Sequence, residues 1–216
     1  MVSPFIKAFI LMVIILGTWI SFSMVFEGQR NSSLLGEIDS VIQNESAVRS
    51  YLEYVHATQD EERYCFVLRE HISSQNRKLF GLLDKLEQAR VNSINNQYPL
   101  VRKQFQSVNA QLFFSLKRFE EECPEKEQPL VPVLYFFPDK HECAECRLQA
   151  QILTELGKTC QTPVQIFAFP VEGGIEIIDL LVKDYNISEV PSLVIYDKVH
   201  SRIQSSSQLN ELLHCK

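Results

Sequence analysis

Two common functional motifs are absent from this sequence, and their absence argues against two classes of partner. The chain contains no Gly-rich loop of the kind that cradles phosphate groups. It contains no block of Lys and Arg either, and its formal net charge is −6. Nucleic acids carry dense negative charge, so proteins that bind them usually present a basic surface. We therefore expect no phosphate-binding loop and no nucleic-acid partner.

Cysteine, by contrast, is abundant for a chain of 216 residues. Chains that are kept reduced rarely use many cysteines, whereas exported chains pair them as disulfides. The even number, six, suits pairing; the residues are Cys65, Cys123, Cys143, Cys146, Cys160 and Cys215. The composition therefore predicts an oxidising compartment.

An uncharged segment near the N-terminus explains how the chain reaches such a compartment. Residues 8–26 hold no charged side chain, and this length spans about 28 Å as a helix, close to the roughly 30 Å of a bilayer core. Lys7 precedes the segment, whereas Glu27 and Arg30 behind it nearly cancel. By the positive-inside rule, we expect residues 1–30 to form a single-pass membrane anchor with a cytoplasmic N-terminus and an extracytoplasmic C-terminal domain.

A cleaved signal peptide is the competing interpretation of this segment. Signal peptides have a shorter apolar region, of about 7 to 15 residues, and end at a small-x-small site. Residues 21–23, Ser-Phe-Ser, are the one weak candidate for such a site. Both interpretations export the rest of the chain, and Asn31 and Asn44 begin glycosylation sequons typical of the outer side.

Residues 31–123 are polar, poor in Gly and helically periodic. Apolar residues recur at spacings of three and four, which is typical of amphipathic helices. They form three seams: Leu34, Ile38, Val41, Val48, Leu52 and Val55; Cys65, Leu68, Ile72, Leu79, Leu82 and Leu86; and Val101, Phe105, Val108, Leu112, Leu116 and Phe119. Turn residues at 92–99 separate the second seam from the third. We expect a helical stalk or small bundle, ending in an antiparallel hairpin, with coiled-coil pairing as a route to a homodimer.

The hairpin brings two of the cysteines toward each other. Cys65 lies near the start of the second helix and Cys123 ends the third. The register is off by more than one turn if the chain reverses within residues 93–98, and a disulfide needs Cα atoms within about 7 Å. Whether Cys65 and Cys123 form a structural disulfide with each other therefore stays open. The region itself is either a dimerising spacer or a surface that binds a partner.

A polar linker, residues 124–129, precedes a different pattern over residues 130–216. Strand-like and helix-like runs alternate, with strands at 131–137, 163–171, 192–197 and 199–204, and helices at 143–157, 175–185 and 205–215. The order βαβαββα predicts an α/β domain whose parallel sheet is covered on both faces and finished by a hairpin.

The first helix of this domain has a pattern of its own. Leu148, Ile152 and Leu156 recur at a spacing of four, so we expect them to lie on one side of the helix. Gly157 follows at the position where a helix C-cap belongs.

Two motifs in this domain carry a family resemblance. Cys143-Ala-Glu-Cys146 opens the first helix, and residues 183–197, KDYNISEVPSLVIYD, lead through a Val-Pro-Ser step into the third strand. The combination resembles the thioredoxin fold, and the resemblance covers about residues 129–216. It implies that Cys143 is the attacking thiol and Cys146 the resolving thiol.

The same resemblance assigns roles around Pro191. In the thioredoxin family the matching proline is cis and packs against the two cysteines. Pro191, after Val190, would therefore be a cis-proline of the catalytic site. Backbone groups at Val190 and Ser192 would bind an extended client strand.

The chain departs from the family pattern near the motif. His141 and Glu142 precede the first cysteine in place of a Trp, and Ala144-Glu145 separates the two cysteines. Tyr135 stands where many thioredoxins bury an acidic proton acceptor. These changes bear on the efficiency and direction of the redox reaction rather than on the fold.

The pKa of the Cys143 thiol decides that direction, because the thiolate is the nucleophile. A helix N-terminus lowers this pKa, whereas Glu142 and Glu145 raise it, and a protonated His141 partly compensates. A less stabilised thiolate favours the disulfide and makes the pair more reducing. The motif therefore predicts a reductase or isomerase rather than a strong oxidant.

Two structural alternatives remain for the cysteines. A zinc site needs four ligands, and no second close pair accompanies the motif; His141 and Cys160 are the nearest additional candidates. We expect no metal and no cofactor. Cys160 and Cys215 form either a second structural disulfide, which would anchor the C-terminus, or a pair of free buried thiols.

The sequence therefore predicts a membrane-anchored, extracytoplasmic thiol–disulfide oxidoreductase. Its partners would be exported proteins that contain cysteines, or a single membrane redox partner. The alternative is a redox-inactive thioredoxin-like adaptor, in which Cys143–Cys146 is a static bridge and the helical region mediates binding or dimerisation.

Overall fold

The computed structural model describes Met12 and residues 46–91, 98–123, 130–139 and 142–215. The chain divides into two compact units, Met1–Tyr54 and Val55–Lys216. Apart from Met12, the predicted membrane segment lies outside the described residues, and so does the predicted linker at 124–129. Within the described ranges, no helix has the length and apolar character needed to cross a membrane.

Three helices come before the sheet in the described part of the chain. Helix α1 occupies residues 46–57, α2 runs over Glu61–Val91 and α3 over Tyr98–Glu122. The second and third predicted seams, on α2 and α3, are buried or half-buried along their length. Gln75, a polar residue between Ile72 and Leu79 of the second seam, is buried as well.

Helices α2 and α3 form an antiparallel hairpin. A disulfide joins Cys65, in the second turn of α2, to Cys123, directly after α3, with the two Cα atoms 5.7 Å apart. The bridge therefore connects the start of one helix to the end of the other. It closes the end of the hairpin that lies opposite the end where α2 stops and α3 begins.

A four-stranded sheet and three further helices follow. The elements are β1 at Val131–Pro138, α4 at Ala144–Thr159, β2 at Val164–Val171, α5 at Glu176–Asp184, β3 at Ser192–Ile195, β4 at Lys198–Ser201 and α6 at Ser206–Leu212. The chain is thus a mixed α/β protein, and the order βαβαββα is the predicted one. Ser205 caps α6 through a reciprocal capping box with Gln208.

The predicted parallel direction is wrong for β3 against β1, whereas the predicted final hairpin of β3 with β4 is present. The strand order is β2-β1-β3-β4; β1 pairs with β2 in parallel, whereas β3 pairs with both β1 and β4 in antiparallel fashion. Ser192, the first residue of β3, lies opposite Phe136, near the carboxyl end of β1. The segment between α5 and β3 therefore returns the chain to that end of the sheet. The alternation of strands and helices in the sequence gives the order of the elements, but it does not give the end of the sheet at which each strand begins, and so does not give its direction.

Alternate side chains of the strands enter two separate cores. On one face, Phe136, Phe167 and Phe169 pack with residues of α3 and α5. On the other face, Tyr135 and Leu193 pack with residues of α4 and α6. The period of two in each strand therefore produces a sheet with helices on both faces.

Helix α3 is part of the first of these cores. Phe113 lies edge-on to Phe167 of β2, with ring centroids 5.5 Å apart. The Asn109 side chain donates a hydrogen bond to the Ala168 carbonyl of the same strand at 3.3 Å. The hairpin and the sheet therefore belong to one compact unit.

The turn between β3 and β4 is also held by α3. Tyr196 and Asp197 form this two-residue turn and have φ angles of 50° and 59°, a conformation that costs energy for residues other than Gly. Lys117 Nζ of α3 lies 2.6 Å from one Asp197 carboxylate oxygen, and the Tyr185 hydroxyl donates to the other at 3.0 Å. These bonds fix the turn against the helical layer.

Helix α4 buries only part of the side on which Leu148, Ile152 and Leu156 recur. Its buried residues are Cys146, Gln149, Leu153 and Leu156, whereas Leu148 is half exposed. The C-cap predicted at Gly157 is wrong, because the helix continues to Thr159 and Cys160 is its C-cap.

Candidate functional site

The two cysteines of the CxxC motif lie at the start of α4. Cys143 is the N-cap residue, with extended backbone angles, and Ala144 is the first helical residue. The Cys143 sulfur accepts a hydrogen bond from the backbone N–H of Cys146 at 3.1 Å. A sulfur at this position meets free backbone N–H groups and the positive end of the helix dipole, both of which favour a thiolate.

Cys143 and Cys146 form a disulfide, with Cα atoms 5.2 Å apart. The two residues differ in exposure: Cys143 is half-buried, whereas Cys146 is 5% exposed and belongs to the core of this face. A thiol from another molecule would therefore meet the Cys143 sulfur first. This asymmetry is what a pair with an attacking and a resolving thiol requires.

Tyr135 lies beneath the motif. Its hydroxyl donates a hydrogen bond to the Cys146 carbonyl at 2.7 Å, and its ring stacks on Phe137. Burial raises the pKa of Tyr135 to about 12. The phenol therefore stays protonated near neutral pH, and it supports the first turn of α4 rather than accepting a proton there.

The loop between β1 and α4 is tied to the helical hairpin. Asp139 forms an ion pair with Arg102 of α3, and its backbone N–H donates to the Val171 carbonyl at 3.2 Å. Neither residue was singled out from the sequence, because they are 37 positions apart and only the fold joins them. The predicted modulator His141 lies outside the described residues.

Charged residues surround the motif on the exposed side. Glu142 and Glu145, the predicted modulators of the thiol pKa, are both exposed. Arg147 is exposed as well, and its backbone N–H donates to the Cys143 carbonyl at 3.1 Å. Arg147 was not among the predicted site residues, although its spacing of four from Cys143 signals a neighbour on the helix surface.

The predicted proline lies at the same end of the sheet. The Val190–Pro191 peptide bond is cis, and Pro191 is buried directly before β3, whose first residue pairs with Phe136 of β1. The Ser192 hydroxyl is buried and donates to the Glu189 carbonyl at 2.7 Å. The Ser192 side chain is thus occupied within the fold, and a role in client binding remains a prediction for the backbone here.

The third disulfide anchors the other end of the same helix. Cys160, the C-cap of α4, is bonded to Cys215 near the C-terminus, with Cα atoms 4.8 Å apart. All six cysteines are therefore paired. Helix α4 carries a disulfide at each of its ends; Cys143, Cys160 and Cys215 are all partly buried, and Cys143 is the one at the helix N-cap.

The described part of the chain contains no candidate metal site. No group of three or more His, Cys, Asp or Glu side chains there could hold an ion. The CxxC sulfurs are bonded to each other.

Comparison with known proteins gives little beyond this geometry. No family model matches the chain, and no curated protein matches it. Among solved structures, one titled "Structure of a malarial protein" aligns with a TM-score of 0.32 and 20% identity, over 40% of this chain and 96% of its own. Another, an oxidised thioredoxin from Plasmodium falciparum, aligns with a TM-score of 0.31 and 19% identity, over 51% of this chain and 88% of its own. Similarity this low carries no functional inference.

Proposed function

We propose that the protein is a membrane-anchored, extracytoplasmic thiol–disulfide oxidoreductase of the thioredoxin-like type, acting through Cys143 and Cys146. The observation that carries the proposal is the unequal placement of the two sulfurs. Cys143 is a half-exposed helix N-cap residue whose sulfur accepts a backbone hydrogen bond, and Cys146 is buried one turn later. A static bridge does not need one accessible sulfur at the position that best stabilises a thiolate.

The exchange uses both cysteines in turn. With the pair reduced, the Cys143 thiolate attacks a sulfur of a client disulfide, forming a mixed disulfide and releasing the other client sulfur as a thiolate. The Cys146 thiolate then attacks the Cys143 sulfur, and the client leaves with both cysteines reduced. Two electrons pass from the pair to the client disulfide.

The charges around Cys143 favour the reducing or isomerising direction. Glu142 and Glu145 are exposed beside the motif, and carboxylates disfavour a neighbouring thiolate. Arg147 opposes them with a single positive charge. Because a less stable thiolate favours the disulfide form, the pair gives up electrons more readily.

The cysteine content and the N-terminal segment support the proposed compartment and clients. Pairing of all six cysteines fits an oxidising space outside the cytoplasm. The uncharged segment at residues 8–26 would hold the protein at the membrane surface. Its clients would then be cysteines of exported proteins, or those of one membrane redox partner.

A redox titration of the full-length chain tests the proposal. Thiol tagging and mass spectrometry should show Cys143 and Cys146 passing together through a reversible two-electron transition, while the other two disulfides stay closed. The Cys146→Ser variant should accumulate mixed disulfides through Cys143, and a variant that also carries Cys143→Ser should accumulate none. A pair that stays locked at every potential would refute the proposal.

A redox-inactive adaptor is the second candidate. Helix α2 exposes two aromatic side chains, Phe66 and Phe80, each 62% accessible and about four turns apart. Fourteen residues is close to four whole turns, so both rings lie on about the same side of α2, where a partner or a second copy of the chain would bind. The adaptor would keep its partner after Cys143→Ser, whereas the oxidoreductase would lose turnover.

A further inference from the structure

The Gln149 side chain is fully buried on α4 with half of its hydrogen-bonding groups unused. Its Oε1 accepts a hydrogen bond from the backbone N–H of Gln204 at 2.6 Å. Its Nε2 is buried and has no hydrogen-bond partner within the described residues. Buried amide nitrogens are nearly always paired, so an unpaired one calls for an explanation.

The positions of the two amide atoms follow from the contact with Gln204. A backbone N–H can only donate, so the atom that faces it must be the oxygen, and the nitrogen points elsewhere. Gln149 lies three residues after Cys146 on the same buried face of α4. Helical side chains lean toward the N-terminus of their helix, over the preceding turn. The Gln149 side chain therefore leans toward the turn that carries Cys146.

We propose that Gln149 donates a hydrogen bond from Nε2 to the Cys146 sulfur when the Cys143–Cys146 bond is open, and so holds the resolving thiolate ready to react. The proposal rests on the proposed oxidoreductase function. In the disulfide form described here, Gln149 Nε2 makes no hydrogen bond to either sulfur of the motif. A thiolate is a charged acceptor, and hydrogen bonds to charged groups are about twice as strong as neutral ones.

The donor acts in the second step of the exchange. The Cys146 thiol loses its proton to water, and its thiolate attacks the Cys143 sulfur of the mixed disulfide. The Cys143–Cys146 bond forms, the bond from Cys143 to the client breaks, and the departing client thiolate takes up a proton. Tyr135 beneath the motif remains a protonated phenol, so no buried base is available from that side. The neutral amide of Gln149, which stabilises the Cys146 thiolate, takes the place of such a base in this step.

A stopped-flow experiment on the full-length chain separates the two steps. The chain with Cys143 and Cys146 reduced is mixed with glutathione disulfide. The first glutathione leaves when the Cys143 thiolate attacks the glutathione disulfide, and the second leaves when the Cys146 thiolate resolves the mixed disulfide. The Gln149→Met variant keeps the side-chain length and removes both amide atoms. Its matched control is Gln151→Met, an exposed position on the same helix.

We expect Gln149→Met to raise the pKa of the Cys146 thiol by about one unit. At pH values below that pKa, the second phase should therefore be about tenfold slower than in the wild type. The first phase should be unchanged, and Gln151→Met should match the wild type in both phases. A second phase at the wild-type rate with an unchanged pH midpoint in Gln149→Met would overturn the proposal.

A measurement on the wild-type chain guards against a variant that fails to fold. With glutamine labelled by ¹⁵N, the side-chain NH₂ signals of Gln149 should shift downfield on reduction, and those of Gln151 should not. Unmoved Gln149 signals would also overturn the proposal. If the wild-type chain shows no first phase, the oxidoreductase function fails and this proposal fails with it. A normal first phase with no effect of Gln149 would overturn the role of Gln149 alone.

Discussion

Substitution of Phe113 tests whether α3 and the sheet form one cooperative unit. Phe113 is 4% exposed and lies edge-on to Phe167, which is 0% exposed in β2. Replacing a buried Phe by Ala costs about 3–5 kcal/mol, of which the aromatic pair contributes about 0.5–1.5 kcal/mol. Domains of this size have a free energy of unfolding of about 5–15 kcal/mol, so Phe113→Ala should remove a large fraction of it.

The assay is urea unfolding followed by circular dichroism, together with native-state hydrogen exchange of the β2 amides. Because Phe113 and Phe167 share a core, the decrease in free energy of opening at the β2 amides should equal the decrease in free energy of unfolding of the whole chain. Phe80 of α2 is 62% exposed and provides the control. Phe80→Ala should change the free energy of unfolding by less than about 1 kcal/mol.

One result would refute this reasoning. If Phe113→Ala speeds exchange in α2 and α3 but leaves the β2 amides as protected as before, the hairpin unfolds independently of the sheet. A double-mutant cycle with Phe167→Leu adds a direct test of the contact. The coupling between the two positions should exceed about 0.5 kcal/mol, since residues in contact are not additive.

Three further predictions address the turn, the motif and the C-terminal disulfide. The hydrogen bond and charge of Lys117 lower the pKa of Asp197, and Asp197 in turn raises the pKa of Lys117. The Asp197 carboxylate therefore stabilises the fold above its unfolded pKa and loses this effect as pH falls. In urea unfolding, Lys117→Met should lower the free energy of unfolding by less than about 1 kcal/mol near neutral pH and by almost nothing at about pH 2. Tyr135→Phe should lower stability by about 1 kcal/mol and leave the pH profile of thiol exchange unchanged, whereas a shifted profile would make Tyr135 a proton carrier. Replacing Cys160 and Cys215 together by Ser should lower the free energy of unfolding by about 2–4 kcal/mol and leave the CxxC pair reactive. Equal thermal stability of this variant and the wild-type chain would contradict a structural role for the disulfide.

Helical periodicity made the hairpin predictable. The seams on α2 and α3 repeat every three to four residues, and turn residues mark the reversal, so both helices and their buried sides follow from local pattern. The pairing of Cys65 with Cys123 did not follow. It depends on the register between the helices, which is set by how side chains interlock and not by the spacing within either chain segment.

The motif was also visible in the sequence, while its surroundings were not. Cys143 at a strand-to-helix junction is a local signal. The ion pair between Asp139 and Arg102 joins a loop to a helix that precedes it, and only the packing of α3 on the sheet brings the two together. Gln149 was missed because a polar residue on the buried face looks like one on the exposed face when only apolar spacing is counted.

The size of the sheet explains why α3 belongs to it. On the face that carries Phe136, Phe167 and Phe169, the one helix supplied by residues 130–216 is α5. A helix of nine residues is about 14 Å long, whereas four strands span roughly 14–19 Å and the longest strands, of eight residues, about 27 Å. Helix α5 alone would leave much of this apolar face in water.

Helix α3, with 25 residues, is long enough to cover the remainder. Its N-terminal part holds the loop before Cys143 through Arg102, and its C-terminal part holds the β3–β4 turn through Lys117. A partner that moved the hairpin would therefore strain the loop that positions the CxxC motif as well as the core. Helix α3 is therefore part of the core of the sheet rather than a separate element beside it.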